Sequence, residues 1–285
     1  MKNRSKKDYN SLLTLVKEHQ WLLDRHNELS ELLGSCKEKA ECYLIYELLN
    51  RFFFLYPEDM DRCWKEMVNQ IFNVWKLDHK DTQIVAMAKG DHADSSQAVL
   101  HMLKMQIGQI GQSVPLTSTI EASIKYVERK PCIVIVDEFI GSGDTVNSRI
   151  EYLKKEFNEK QISSEVRSKI KIYICVVAAM AHSLSNVEAL TDGVFAVHCL
   201  KKGISGYYEF PKLTEKLNVM LQMESRLEYS PDSKYFPFGY KKSEALYGVY
   251  GWNAVNNLFP IFWWDELKGG KRRTPLFIRV KDVKG

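Results

Sequence analysis

The densest chemistry in this chain lies in Ile133 to Thr145, IVIVDEFIGSGDT. Four apolar, β-branched residues predict a buried strand. Asp137 and Glu138 follow at its carboxyl end, the edge where parallel sheets take ligands. Two adjacent carboxylates there are costly without partners. Sugar hydroxyls or a divalent metal would supply those partners. The loop Gly141, Ser142, Gly143, Asp144 and Thr145 comes next. Its glycines allow close backbone approach, and its N–H and hydroxyl groups can surround a phosphate. A helix beginning near Thr145 points its positive end at the same place. The segment therefore offers acids for a ribose and a nest for its phosphate.

A second loop, Ala88 to Ser96, follows the apolar run Gln83 to Ala88. Lys89 supplies a cation, Gly90 backbone freedom, and Ser95 and Ser96 donors at a helix start, with Asp94 or Ser95 as its cap. An ordinary strand-to-helix loop would look the same. His92 could act as an acid or base, or be a loop-surface histidine. Arg149 reads as a surface residue of the helix after the glycine loop. The chain contains no G-x-x-x-x-G-K-[ST] loop, no G-x-G-x-x-G after a strand and no H-E-x-x-H.

The elements that must position these residues follow from periodicity. Residues 8–80 read as helical, with breaks at Gly34-Ser35 and a new start at Pro57. Trp64, Met67, Ile71 and Trp75 form an apolar stripe expected to be core. Strands are expected at 83–88, 132–136, 170–180 and 194–200, with helices at 95–105 and 145–159 between them. Alternating strand and helix predicts an α/β fold with a parallel sheet and flanking helices. A helical N-terminal region (1–80) precedes this core (81–265), whose last part is a small aromatic-rich C-terminal subdomain. A basic tail, 266–285, carries Lys271, Arg272 and Arg273 and is expected to be solvated.

The 285 residues are 45% hydrophobic, enough for one large domain or one core domain plus a smaller module, and the net charge of +4 is too mild to argue for nucleic acid. The six cysteines form no C-x-x-C pair, and Cys132 and Cys175 lie in strand-like runs, so buried free thiols in a reducing compartment are expected. The basic N-terminus lacks an apolar h-region, and no apolar run is long enough to span a membrane. A cytoplasmic protein is the expectation.

With those residues in place, Ile133 to Thr145 resembles the signature of type I phosphoribosyltransferases: four apolar residues, two acids, two apolar residues and a Thr/Ser-Gly-x-Thr loop. Gly141 stands where that family often has Thr. The resemblance implies that Asp137 and Glu138 bind the ribose hydroxyls of phosphoribosyl pyrophosphate. Gly141 to Thr145 would hold the 5-phosphate, and the 88–96 loop (Lys89, Gly90, Asp94, Ser95, Ser96) the pyrophosphate. Magnesium would accompany the pyrophosphate, with Asp137 and Glu138 as its protein ligands. A lid is expected at Gly108 to Thr119, which carries no basic residue.

The late stretch from Gly239-Tyr240 to Trp264 carries Asn256-Asn257 and then Pro260 before the double Trp263-Trp264. Through it residues 80–265 also resemble phosphoribosyltransferase-like proteins of bacterial conflict systems, some encoded beside retron reverse transcriptases. That resemblance implies an antiphage role, with a reverse transcriptase, an RNA/DNA hybrid and a winged-helix protein as partners. It also implies an aromatic hood over an acceptor, where Asn256 and Asn257 hydrogen-bond a base and Trp252 or Trp263 stacks on it. An enzyme acting at ribose C1, a non-catalytic sensor of phosphoribosyl pyrophosphate or nucleotide, and an inactive structural subunit all remain open, as does oligomerisation.

Overall fold

The computed structural model describes residues 6–90, 95–228 and 237–280. They belong to two compact units: Pro57–Leu200, and Met1–Tyr56 together with Lys201–Gly285. We call the latter the first unit. It opens with helices α1 (Lys6–Glu18), α2 (His26–Gly34) and α3 (Lys39–Asn50) and the short strand β1 (Phe53–Leu55). Leu44, Ile45, Leu48 and Leu49 recur at helical spacing on α3 and are all fully buried.

The second unit is contiguous. It runs α4 (Pro57–Asn69), β2 (Thr82–Ala86), α5 (Ser95–Gln109), β3 (Leu116–Thr117), α6 (Ile120–Ser123), β4 (Cys132–Ile140), α7 (Asp144–Glu159), α8 (Ser164–Lys169), β5 (Lys171–Met180), α9 (Ala181–Glu188) and β6 (Gly193–Leu200). Its five strands are all parallel, in the order β3-β2-β4-β5-β6. The expected α/β fold with a helix-flanked parallel sheet is therefore present. The two central strands, β4 and β5, are near-continuous apolar runs, as burial on both faces requires. On one face Ile133 and Ile135 pack with Val146, Ile150, Leu153 and Phe157 of α7. The crossovers from β2 to β3 and from β4 to β5 leave in opposite directions, so right-handedness puts α5 and α7 on opposite faces. On its face, α5 is tied to α4 by the Gln106 amide, which donates to Asp61 at 3.0 Å.

The chain then returns to the first unit with α10 (Lys212–Glu224), β7 (Tyr247–Val249) and the hairpin β8 (Glu266–Leu267) and β9 (Lys271–Arg272). β7 pairs in parallel with β1. Trp21, Leu48 and Phe52 from the start of the chain share one core with Met223, Phe262 and Phe277 from its end. Trp21 stacks on Phe54 at 4.7 Å, and Phe52 on Phe277 at 4.9 Å.

This division departs from the expected 1–80, 81–265 and 266–285. The helical N-terminal region and the C-terminal segment are one body, because neither buries its apolar face alone. The helix that starts at Pro57, α4, belongs to the second unit: Trp64, Met67 and Ile71 of the expected core stripe are buried there, and Trp75 packs on Tyr173 at 4.8 Å. The expected solvated tail is likewise built into the first unit, with the Arg273 side chain buried. All six cysteines are free, and Cys132 and Cys175 are buried as expected. No helix among the described residues is long and apolar enough to cross a membrane.

Candidate functional site at the switch point of the sheet

β2 comes first in the parallel sheet. The chain next lays β3 on one side of it and then returns to lay β4 on the other. The gap between β2 and β4 is therefore the topological switch point, where open α/β sheets take ligands at their carboxyl edge. The pairing deepens that gap. β2 ends at Ala86, opposite Val136, and the Met87 N–H makes one last bond to the Val136 carbonyl at 3.0 Å. β4 continues to Ile140 with only β5 beside it. Asp137 and Glu138 thus sit within the strand, just past the point where its other neighbour has left.

Successive side chains on a strand point to opposite faces, and the burial of β4 alternates accordingly. Asp137 is partly open. Its Oδ1 accepts from the Ser95 hydroxyl at 3.3 Å and from the Glu138 N–H at 2.7 Å. Ser95 is the first residue of α5, so the first turn of that helix meets the acid. Glu138 is only 4% exposed. The expectation that both carboxylates face one ribose, or one metal, is corrected here for Glu138: strand alternation turns it away from Asp137.

The glycine loop lies where expected. Gly143 has φ +84°, in the left-handed region, and directly precedes α7. Its carbonyl accepts from Asn147 N–H at 3.0 Å, and Ser142 Oγ accepts from Asp144 N–H at 3.3 Å. Gly141 is buried, and Thr145 is exposed on the first turn. This places the N–H groups of a sixteen-residue helix at the carboxyl edge.

The second loop agrees in part. Gly90 has φ +75° and Lys89 is exposed, its ammonium over the Tyr152 ring of α7 at 4.3 Å. Ser96 is fully buried, which corrects its expected role as an open donor. Asp94 and His92 lie outside the described residues. Arg149 is not the bare surface residue expected: its Nε donates to the Met87 carbonyl at 2.8 Å, tying α7 to the exit of β2. Thr145, Arg149 and Tyr152 are spaced four and three apart, one stripe of α7, and that spacing was the signal available in the sequence.

The expected lid is displaced. β3 is parallel to β2, so residues before it, including 108–114, lie at the amino edge of the sheet, away from Asp137. Only Ser118 and Thr119 reach the carboxyl edge, where Gln97 holds the Ser118 carbonyl at 3.4 Å and Ile120 N–H bonds Ala88 at 3.0 Å.

The acceptor residues belong to the first unit. Asn257 is buried, and its amide donates to Ser243 Oγ at 2.8 Å and the Tyr240 carbonyl at 3.4 Å. Trp263 is 8% exposed and donates to the Leu258 carbonyl at 3.1 Å. Both have their donors occupied inside the first unit, so the expectation that they bind a base is corrected to a structural role. Asn256 is exposed, and its carbonyl accepts from the Tyr240 N–H at 2.9 Å.

As for a metal, no group of three or more His, Cys, Asp or Glu gathers among the described residues. Among the described residues the switch point presents the partly open carboxylate of Asp137, with Asp144 in the glycine loop beyond it. That suits a magnesium ion carried mainly by substrate phosphates and water, and does not suit a cage built by the protein.

The pattern of the PRTase-CE family matches residues 35–279. The chain belongs to that family. The match runs through the second unit and through most of the C-terminal part of the first, so this PRTase-CE chain carries the family pattern in both. No curated protein matches by sequence. Among solved structures, a hypoxanthine-guanine phosphoribosyltransferase from Leishmania tarentolae in complex with GMP is 12% identical, with a TM-score of 0.37, over 53% of this chain and 82% of that one. An orotate phosphoribosyltransferase from Aeropyrum pernix is 11% identical, with a TM-score of 0.31, over 56% and 77%. A hypothetical protein from Neisseria gonorrhoeae with bound ppGpp is 12% identical, with a TM-score of 0.34, over 59% and 96%.

Proposed function

We propose that the second unit binds a phosphorylated ribose, as phosphoribosyl pyrophosphate or a nucleotide, at the switch point between β2 and β4, and acts in transfer at ribose C1. One observation carries the reading: Asp137 stands past the end of β2, bonded to the first residue of α5, and the Gly141–Thr145 loop and the α7 N-terminus follow it directly. In this reading Asp137 accepts from the ribose hydroxyls. The loop N–H groups and the Thr145 hydroxyl surround the 5-phosphate. Lys89, Gly90 and Ser95 face the pyrophosphate side. Substitution at C1 passes through an oxocarbenium-like state, so what the chain contributes is position and charge complementarity. Asp137 would hold magnesium together with substrate oxygens, and the ion would offset charge on the departing pyrophosphate.

Calorimetric titration with phosphoribosyl pyrophosphate and magnesium tests this. Asp137→Asn is expected to weaken binding by about tenfold or more, because a charge-assisted hydrogen-bond acceptor is lost. No binding by the wild-type chain, or an unchanged Asp137→Asn, would sink it. A sensor that binds without turnover is the second reading: among the described residues Glu138 is buried and Lys89 rests on an aromatic ring, which leaves Asp137 and the loop for binding. Pyrophosphate release across a panel of nucleobases and nucleotides separates enzyme from sensor. The antiphage role, with a reverse transcriptase, an RNA/DNA hybrid and a winged-helix partner, extends the proposal on the sequence resemblance alone. A neighbouring reverse-transcriptase gene is its test.

A further inference from the structure

The first unit contains a cavity of about 730 Å³, remote in sequence from the glycine loop. The end of α2, Arg226 and the β8–β9 hairpin line it. Its volume is in the range of small-molecule sites. Lys37, Lys268, Lys271 and Arg272 converge on it, and Glu31 is the one carboxylate among the described residues of the lining.

The walls are fixed. Lys268 N–H donates to the Arg226 carbonyl at 2.8 Å, and Glu228 N–H to the Glu266 carbonyl at 2.9 Å, so the first hairpin strand is bonded to the end of α10. At the other end Arg273 is buried, with Nε on the Trp264 carbonyl at 2.9 Å. Gly269 (φ +85°) and Gly270 (φ +74°) make the turn that brings Lys271 back beside Lys268. The wall cation Arg226 is already spent on Glu41 through two bonds of 2.8 Å. Glu31 is engaged by the Thr274 N–H at 2.6 Å. Lys37, Lys268 and Lys271 form no ion pair among the described residues, and Arg272 has only a surface pair with Glu266 at 3.1 Å.

Unpaired ammonium groups gathered on one concavity repel one another unless an anion joins them. Met223, Ile261 and Leu267 add apolar lining to the same cavity. The cations meet in a pocket and do not run along a face, as a nucleic-acid track would. We propose that this cavity is a second ligand site, for a phosphorylated small molecule of nucleoside di- or triphosphate size. The β8–β9 hairpin grips the phosphates, and the apolar lining takes the less polar end.

The test titrates the full chain with ATP by calorimetry, in chelator to exclude magnesium. One ATP per chain is expected. Lys268→Ala/Lys271→Ala/Arg272→Ala together should weaken it at least tenfold while leaving phosphoribosyl pyrophosphate binding with magnesium unchanged. Lys37→Ala, on a different segment, should weaken it severalfold, so the proposal does not rest on the folding of the triple variant. Asp137→Asn should leave it unaltered, which separates this site from the one in the second unit. No ATP binding, or ATP binding by the triple and Lys37→Ala variants as tight as that of the wild type, overturns the proposal. So does a single-stranded oligonucleotide that binds through the hairpin and that ATP cannot displace.

Discussion

Gly143 turns the chain from β4 into α7 at φ +84°, and an added Cβ would meet Val187 at 3.4 Å, an ordinary contact. The cost of a side chain there is therefore conformational and not steric, about 1–2 kcal/mol. Gly143→Ala is expected to lower the melting temperature by roughly 3 °C or somewhat more, and a scan showing no change would contradict the left-handed assignment. A second residue-scale case is Glu224, fully buried in the first unit. Burial pushes its carboxyl up to about 8, against the Phe238 and Ile261 N–H groups that favour the charge, and the Glu244 carboxylate adds to the rise. Its folded pKa lies above its unfolded value of 4.5, so the folded chain keeps a proton that the unfolded chain gives up. The resulting stability is complete below pH 4.5 and is lost as pH climbs towards 8. The slope is up to about 1.4 kcal/mol per pH unit. Denaturant titrations from pH 5 to 8 should show this decline in the wild type and a flatter profile in Glu224→Gln. Equal slopes would refute it.

At the scale of elements, Arg149 couples two pieces that both face the switch point. It fixes the exit of β2 to α7 with one bond, at 2.8 Å. Arg149→Leu is expected to cost only about 1 kcal/mol in stability while raising the dissociation constant for phosphoribosyl pyrophosphate roughly tenfold. A matched fall in both would make Arg149 merely structural. The elements also show what could be read from sequence. β2, β4 and β5 stand out as apolar runs because both their faces are buried, β6 as an apolar run on a half-buried edge, and α5 and α7 as the periodic stretches between strands. β4 was expected to stop at Val136 since acids seldom lie inside a strand. It continues because β5 still pairs with it beyond the end of β2. β1 was hidden at the end of a helical pattern, and the two-residue β3 carries no periodicity at all. Its direction, parallel to β2, is what puts residues 108–114 at the amino edge. A segment's edge of the sheet depends on the direction of a strand too short to see. Asp137 and the glycine loop were legible from residue type and spacing, whereas the burial of Glu138 and the bond of Arg149 depend on pairing and tertiary contact.

For the whole molecule, the division into units predicts opposite behaviour for two fragments. The second unit is continuous, and its sheet is complete by Leu200. A fragment spanning 57–200 is expected to unfold cooperatively on heating. A fragment of 1–200 leaves Trp21, Leu48 and Phe52 without Phe262 and Phe277, and should bind a hydrophobic dye strongly. If 1–200 binds no more dye than the full chain, the shared core of the first unit is wrong.

The parallel pairing of β1 with β7 joins strands from opposite ends of the chain. On the ribosome this sets an order of events. The segment carrying Trp21, Leu44 and Phe52 is made well before Phe277 and cannot complete its core until Phe277 has left the exit tunnel. The second unit, which lies between them in sequence, can close meanwhile. Of the two units, the one begun before the other is therefore finished after it, and it is the more exposed to aggregation while it waits.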